Sequence, residues 1–399
     1  MKILNRLFRS TDDESIQLLD DKILFSAILL IAISMIMVYS ASIAYAAHDK
    51  LIHNQYYYLI RHLFYSVIGL VAGIIAFILP TSFWRKYATF IAVAIVFLLI
   101  IVLIPHVGTV VNGSRRWIGV GMLHIQPSEF AKLCVTIYLS DYVCNKYLNL
   151  KHFWTDLFPA LGAICGIALL LLLEPDMGSA TVIFIIALSI FFMANIDKKI
   201  IFSLSIMGLI SFIGLIIITP YRMRRVLGFI DPWQDALGKG YQLTHSLLAV
   251  GHGGLFGVGV GNSIEKLFYL PEAHTDFIMA IIAEEFGVIG IVTILILFWI
   301  IFYRGFTIIG SEARKLGNRK FQSLLAQGIS IWLFSQALIN IGVTIGILPT
   351  KGLTLPFVSY GGSSMLVSCI ALAILLKIDY ENREINRELM ANSDDKITN

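Results

Sequence analysis

The sequence predicts an all-α fold, a polytopic integral membrane protein of about ten transmembrane helices, with a large extracytoplasmic loop between helices 7 and 8. Three observations predict it. The 399 residues are 57% hydrophobic and only 14% charged, where soluble domains carry about a quarter of charged residues. Mean hydropathy is +0.81. The apolar residues come in runs, most of them long enough to cross a hydrocarbon core of about 30 Å.

In chain order, spans are expected at residues 23–47, 59–79, 87–106, 129–144, 158–173, 178–195, 200–219, 276–303, 323–348 and 358–378. The first resembles a signal peptide in its Ala44-Tyr45-Ala46, but its apolar run is too long and Asp12, Asp13 and Glu14 precede it. It is read as a retained span. The fourth is short and carries Glu129 and Lys132. Polar, mobile tails are expected at 1–22 and 379–399, around a single transmembrane domain over 23–378. There is no repeat at solenoid periods.

Loop charges orient the chain. With the N-terminus in the cytoplasm, that side collects Lys2, Arg6, Arg9, Lys22, Arg85, Lys86, Lys198, Lys199 and the pairs around Arg314 and Arg319. Lys377, Arg383 and Arg387 join them, as the positive-inside rule requires. An even number of spans returns the C-terminus to the same side. The net charge of +4 therefore reports topology. No basic tract points to nucleic acid. Cys134, Cys144, Cys165 and Cys369 fall in or at the ends of spans without metal-ligand spacing, and are expected as free thiols.

Two loops are external in this topology, 107–128 and 220–275. Loops as long as the second, without regular structure, are uncommon and usually functional. Its stretch from Leu247 to Val260 is apolar and glycine-rich but too short to span. A re-entrant or interfacial segment is expected, since irregular backbone at that depth needs protein or a wet cavity beside it.

The chemistry-bearing residues gather around these loops. Asp276 opens the eighth span, with Glu272 and His274 on its approach and Pro271 stiffening it. Two readings stand open. Thr275 or Asp276 could cap the helix. Alternatively, a carboxylate at a polar funnel could act as general base or hold a divalent cation. Glu284 and Glu285 lie roughly 12–13 Å further along the helix, where each must be neutral, paired or wet. Glu129 and Lys132, at i and i+3, suit a pair on one helix face. Arg115, Arg116, Arg222, Arg224, Arg225 and Lys351 are cations on the side where few are expected. They are either ordinary loop charge or a phosphate-binding set. Trp117 suits either stacking on a sugar or anchoring at the interface. Together these residues suit an amphiphile with a phosphorylated, saccharide-like head, and equally a transporter.

The motifs resolve that choice by resemblance. VYSAS at 38–42, NGSRRWI at 112–118, QPSEFAK at 126–132, DPW at 231–233 and GKGYQ at 238–242 occur in order. YLPEAHTDFI at 269–278, AEEFG at 283–287 and PTKGLTLPFVSYGGSS at 349–364 follow. As a set they resemble the SEDS family (shape, elongation, division and sporulation), the bacterial polytopic peptidoglycan polymerases, over nearly the whole chain. The wording at 231–242, 269–277 and 350–357 is similar to the division branch of that family rather than its elongation branch.

The resemblance implies a transmembrane catalytic domain that polymerises lipid II into β-1,4 glycan strands, releasing undecaprenyl pyrophosphate. It implies Asp276 as the catalytic residue. It implies Trp117, Glu129, Lys132 and Lys351 as functional residues, and with Arg115, Arg116, Glu272 and His274 from the loop reading they are expected to be substrate-binding. A divalent cation, Mg²⁺ or Mn²⁺, is expected with Asp276 as its metal ligand, and no organic cofactor. The expected partners are a class B penicillin-binding protein (an FtsI-like transpeptidase) and other divisome proteins. The expected location is the bacterial cytoplasmic membrane, concentrated at the septum. The alternatives are an elongation polymerase, a lipid II flippase, for which inverted repeats would be expected but are not seen, and a non-catalytic scaffold.

Overall fold

The computed structural model describes residues 19–48, 54–111, 113–120, 123–146, 156–317 and 319–398. Helices occupy each of the expected apolar segments. They are α1 (Asp21–His48), α2 (Tyr57–Ile78), the short α3 (Thr81–Lys86), α4 (Ala88–Leu103), α5 (Pro127–Lys146), α6 (Phe158–Leu173), α7 (Met177–Met193) and α8 (Lys198–Ile218). The long loop carries α9 (Pro220–Ile230) and α10 (Tyr241–Gly253). Then come α11 (Ile278–Tyr303), a π-helical turn (Arg304–Ile309), α12 (Gly310–Lys315), α13 (Lys320–Thr344) and α14 (Gly362–Thr398). Among the described residues, six helices are long and apolar enough to cross a membrane, namely α1, α2, α8, α11 with its extension, α13 and α14. Helices α4, α6 and α7 are shorter and apolar. The chain is a multi-pass membrane protein.

Helix ends follow local chemistry. Asp176 caps α7, accepting from Ser179 N at 3.0 Å, and Asp197 caps α8, accepting from Lys199 N at 2.9 Å. Pro220 opens α9 at a position that needs no N–H. Helices α2 and α14 meet closely because Gly69 and Gly73 face Cys369, where an added Cβ would stand 3.2 Å from its Sγ and O atoms. Small residues four apart let helix backbones approach in this way. The thiols are free, with Cys134 and Cys369 buried.

Three features differ from the sequence reading. The first external loop is a small antiparallel sheet, β1 (Gly108–Val111), β2 (Ser114–Val120) and β3 (Leu123–Ile125), so the chain is not helical throughout. Residues 379–398, expected as a mobile tail, continue α14. Side chains hold its first turns on the bundle: Arg383 reaches Asp20 at 4.0 Å, and Glu381 accepts from Arg319 and from Thr81 N at 2.9 Å. The third is a break in α11, where Gly287 has φ +68° and ψ −160°.

The break explains the glycine-rich segment. After α10 the chain runs into the gap in α11. Val258 N and Gly259 N donate to the carbonyls of Glu284 and Glu285 at 3.0 and 3.1 Å. In return Val288 N donates to Gly254 O at 3.0 Å and Ile289 N to Leu255 O at 3.3 Å. The inserted strand thus satisfies backbone groups that the broken helix frees. Only glycine permits the approach: a Cβ on Gly257 would lie 2.1 Å from Glu285 O, and one on Gly287 2.5 Å from Leu255 C.

Candidate active site

One open cavity of about 1330 Å³ lies on the face that carries the sheet. Its walls come from the first turns of α2, strand β2, the α6–α7 turn, the end of α8 with α9, the approach to α11, and the 349–364 segment. Helix α8 stands at the edge of the bundle with only Leu204 buried, and gives Phe212 and Ile216 to the cavity. Apolar and charged linings therefore share one space, as an amphiphile requires.

Asp276 lines this cavity, half-buried. It does not cap α11: the cap position is Phe277, with no side-chain bond, and Thr275 Oγ1 is turned to Glu272 Oε2 at 2.7 Å. No described residue donates a hydrogen bond to the Asp276 carboxylate. Burial, then the like charge of Glu272, pushes its pKa up to about 7, against the pull of Arg116 and Arg225. The residue is thus poised near neutrality, where a general base is most effective.

A cationic wall stands in the same cavity. Arg116, Arg222, Arg225 and Lys351 all line it, while Arg224 points outward. Arg116 is held by its Nε to Glu174 O at 3.0 Å and by a second bond to Pro175 O. Arg225 donates to Thr350 O at 3.3 Å. Lys351 Nζ sits 4.4 Å over the Phe212 ring. Burial lowers its pKa to about 8, opposed by Asp176. Asp176 also lines the cavity, its oxygens engaged by Ser179 N and Oγ.

The structure brings together some of the expected residues and separates others. Arg116, Trp117, Glu129, Glu272, Asp276 and Lys351 share the cavity. Arg115 does not: β2 bulges at Arg116, between the pairs Val110↔Arg115 and Thr109↔Trp117, and the Arg115 guanidinium donates to Leu103 O at 3.1 Å. Lys132 lies wholly buried behind Glu129, bonding Glu129 Oε1 and Gln336 Oε1, each at 2.8 Å. His274 sits behind the wall among Tyr45, Tyr58 and Tyr360, with ring centroids 4.8–5.8 Å away. Burial lowers its pKa, and its backbone carbonyl accepts from Tyr360 N at 3.0 Å. Glu284 and Glu285 are structural: Glu284 accepts from Ser263 Oγ and Ile264 N, and Glu285 pairs with Lys266 at 2.8 Å.

Sequence reasoning missed an aromatic wall in the same cavity. Tyr57, Tyr58, Arg61, Tyr65 and Tyr360 line the cavity, with Arg61 bonded to Tyr57 OH at 2.7 Å. The run YYYLIRH, with Arg61 four residues after Tyr57, was the available signal. Asp176 was missed too, and only its position before an apolar run marked it.

Among the described residues no three His, Cys, Asp or Glu side chains form a ready-made metal cage. The arrangement still fits a magnesium-like ion, which is bound through one or two carboxylates, substrate phosphates and waters rather than by an all-protein cage. Asp276, with both oxygens uncommitted, is the carboxylate such an ion would find.

Residues 21–384 match the family model for cell cycle proteins of the FtsW/RodA/SpoVE group. A relative from Aromatoleum aromaticum, named "Probable peptidoglycan glycosyltransferase FtsW", is 46% identical across 97% of this chain and 93% of its own. One of the same name from Nitrosomonas europaea is 47% identical across 94% of this chain and 96% of its own. Among solved structures, a chain from "Structural coordination of polymerization and crosslinking by a peptidoglycan synthase complex" is 27% identical, with a TM-score of 0.72, covering 91% of this chain and 98% of its own. Rod shape determining protein RodA of Thermus thermophilus is 26% identical, with a TM-score of 0.65, over 90% of this chain and 96% of its own. The chain belongs to the FtsW/RodA/SpoVE family of cell cycle proteins.

Proposed function

We infer that this chain is a peptidoglycan glycosyltransferase of the cell-division type, one that polymerises lipid II into β-1,4 glycan strands. The relatives' names support the activity and the branch. The observation that carries the mechanism is Asp276, uncommitted and titrating near neutrality, in one cavity with Arg116, Arg222, Arg225 and Lys351.

In this reading Asp276 takes the proton from the 4-hydroxyl of the acceptor sugar. The freed oxygen attacks the anomeric carbon of the donor, and the bond to its pyrophosphate breaks with inversion. The new glycosidic bond replaces the lost phosphoester bond, and the electron pair leaves on pyrophosphate. Arg116, Arg222, Arg225 and Lys351 meet that growing charge in a partly dry site, where fixed cations are worth most. A divalent cation held by Asp276 would add charge neutralisation at the pyrophosphate. Trp117 and the tyrosines of α2 offer faces for the sugars. The apolar lining from α8 receives the start of the prenyl chain.

The proposed partner is a class B penicillin-binding protein, an FtsI-like transpeptidase, within the divisome. The termini would lie in the cytoplasm and the protein would concentrate at the septum. Glycan ladders from labelled lipid II test the reading. The full chain is purified with its partner, inactivated at its own serine, and supplied with a divalent cation. Wild type should make ladders, and Asp276→Ala should lose at least about 100-fold in rate while keeping its partner. Ladders that persist in Asp276→Ala would move the base elsewhere. No ladders from either protein, with transport of lipid II across liposomes, would favour a flippase.

A further inference from the structure

The Asp276 carboxylate rests on no side-chain bond, so something else must hold it at its place in the cavity. The backbone does. Asn340, on α13 and 2% exposed, donates from Nδ2 to two carbonyls at once: Asp276 O at 2.8 Å and Leu353 O at 2.7 Å. The two acceptors lie on different segments. One carries Asp276, and the other carries Lys351 and Gly352. One turn earlier on α13, Gln336 Nε2 donates to Thr354 O at 2.8 Å, so the second segment is held twice. One turn later, Thr344 O accepts from Ser246 Oγ of α10 at 2.9 Å.

The orientation of the amide is dictated by its neighbours. Both facing groups are carbonyl oxygens, so a turned amide would set oxygen against oxygen. The cost of the arrangement is visible, since Asn340 Oδ1 is left buried without a partner. The strap also closes a tight gap. A Cβ on Gly352 would stand 2.6 Å from Asp276 Oδ2. The carboxylate therefore lies directly over the backbone of residue 352, and only glycine leaves it that place.

We propose that Asn340 is a positioning residue for glycosyl transfer: its amide ties the Asp276 turn to the Lys351–Gly352 segment and so fixes base and cation in one geometry. This rests on the reading of Asp276 as the base. The stake is large because a displacement near 1 Å in a catalytic group can cost about 100-fold.

The test is steady-state polymerisation of lipid II by the full chain in complex with its serine-inactivated partner. Rates are scaled to the amount of folded complex. Asn340→Leu keeps the branching at Cγ and removes the donors. Asn340→Asp keeps the shape and cannot donate to both carbonyls. For each we expect kcat to fall about 100-fold with KM for lipid II within about threefold, the signature of a lost transition-state geometry rather than lost binding. Gly352→Ala should show the same split, because it displaces the carboxylate from the other side. A kcat within threefold of wild type in folded Asn340→Leu would overturn the proposal, as would a loss confined to KM. If neither Asn340 variant folds, a normal kcat in Gly352→Ala overturns it. Asp276→Asn separates the two claims. An active Asp276→Asn removes the base itself. An inactive Asp276→Asn beside a normal Asn340→Leu removes only the strap.

Discussion

Glu174 and Asp276 show how position sets the behaviour of one functional group. Glu174 follows α6, wholly buried, with neither carboxyl oxygen bonded. Burial pushes its pKa up to about 8, with Asp176 adding to the rise and Arg116 opposing it. Its role is carried by its backbone carbonyl, which holds Arg116. The raised value has a consequence for stability. Between the ordinary carboxylate range and about pH 8, the folded state keeps a proton that the unfolded chain has released. Stability therefore falls as pH rises through that window. Each unit of the gap is worth about 1.4 kcal/mol before relaxation. Glu174→Gln, neutral at every pH, should flatten that decline. Thermal midpoints measured in detergent from pH 5 to 8.5 check it, and equal slopes in both proteins would count against the buried acid.

At the scale of elements, the broken α11 and the strand inserted into it form one unit. The first half of the helix follows directly from Asp276, so the inserted segment braces the turn that carries Asp276. Gly287 sits in a backbone region open essentially to glycine alone, where other residues cost about 1–3 kcal/mol. Gly287→Ala adds an overlap with Leu255 to that strain. It should lower the thermal midpoint by several degrees and reduce polymerisation, whereas Gly162→Ala, in open space on α6, should do neither. A midpoint unchanged in Gly287→Ala would show that the break is not fixed.

The elements also show what the sequence could say. Apolar runs announced the membrane helices because lipid imposes a length and a composition. The stretch from Leu247 to Val260 stood out by its glycines, but the sequence could not show that Leu247–Gly253 would end a helix and Gly254–Gly259 would enter the gap in α11. The sheet was not, since GTVV, SRRWIGV and LHI are too short for a period-two signal to stand out. The α14 extension was hidden because its hold on the bundle comes from Arg319 and Thr81, far away in sequence. The Asp276 motif pointed to the site. Arg115 could not be told from Arg116 until a bulge in β2 left Arg116 in the cavity and turned Arg115 to Leu103 O. Lys132 and His274 read as binding residues, yet tertiary packing set both behind the cavity wall.

The whole molecule places Asp276 in one wide cavity with a cationic wall and an aromatic wall, edged by an apolar helix. Each wall is assembled from segments far apart in sequence. Arg116 comes from β2, Arg225 from α9 and Lys351 from the segment before α14. The account stands on Asp276 acting as the base, which gives the pH dependence of polymerisation a definite sign. Asp276 must be ionised to accept a proton, and its pKa lies at about 7. The most direct measurement is the rate of glycan formation by the complex at saturating lipid II, from pH 5 to 9, for wild type and Asp276→Asn. The wild-type rate should rise about tenfold per unit below neutrality and level off above about pH 7. Asp276→Asn should lose that limb and remain at least about 100-fold slower throughout. A wild-type rate flat across neutrality, or the same limb surviving in Asp276→Asn, would contradict the assignment.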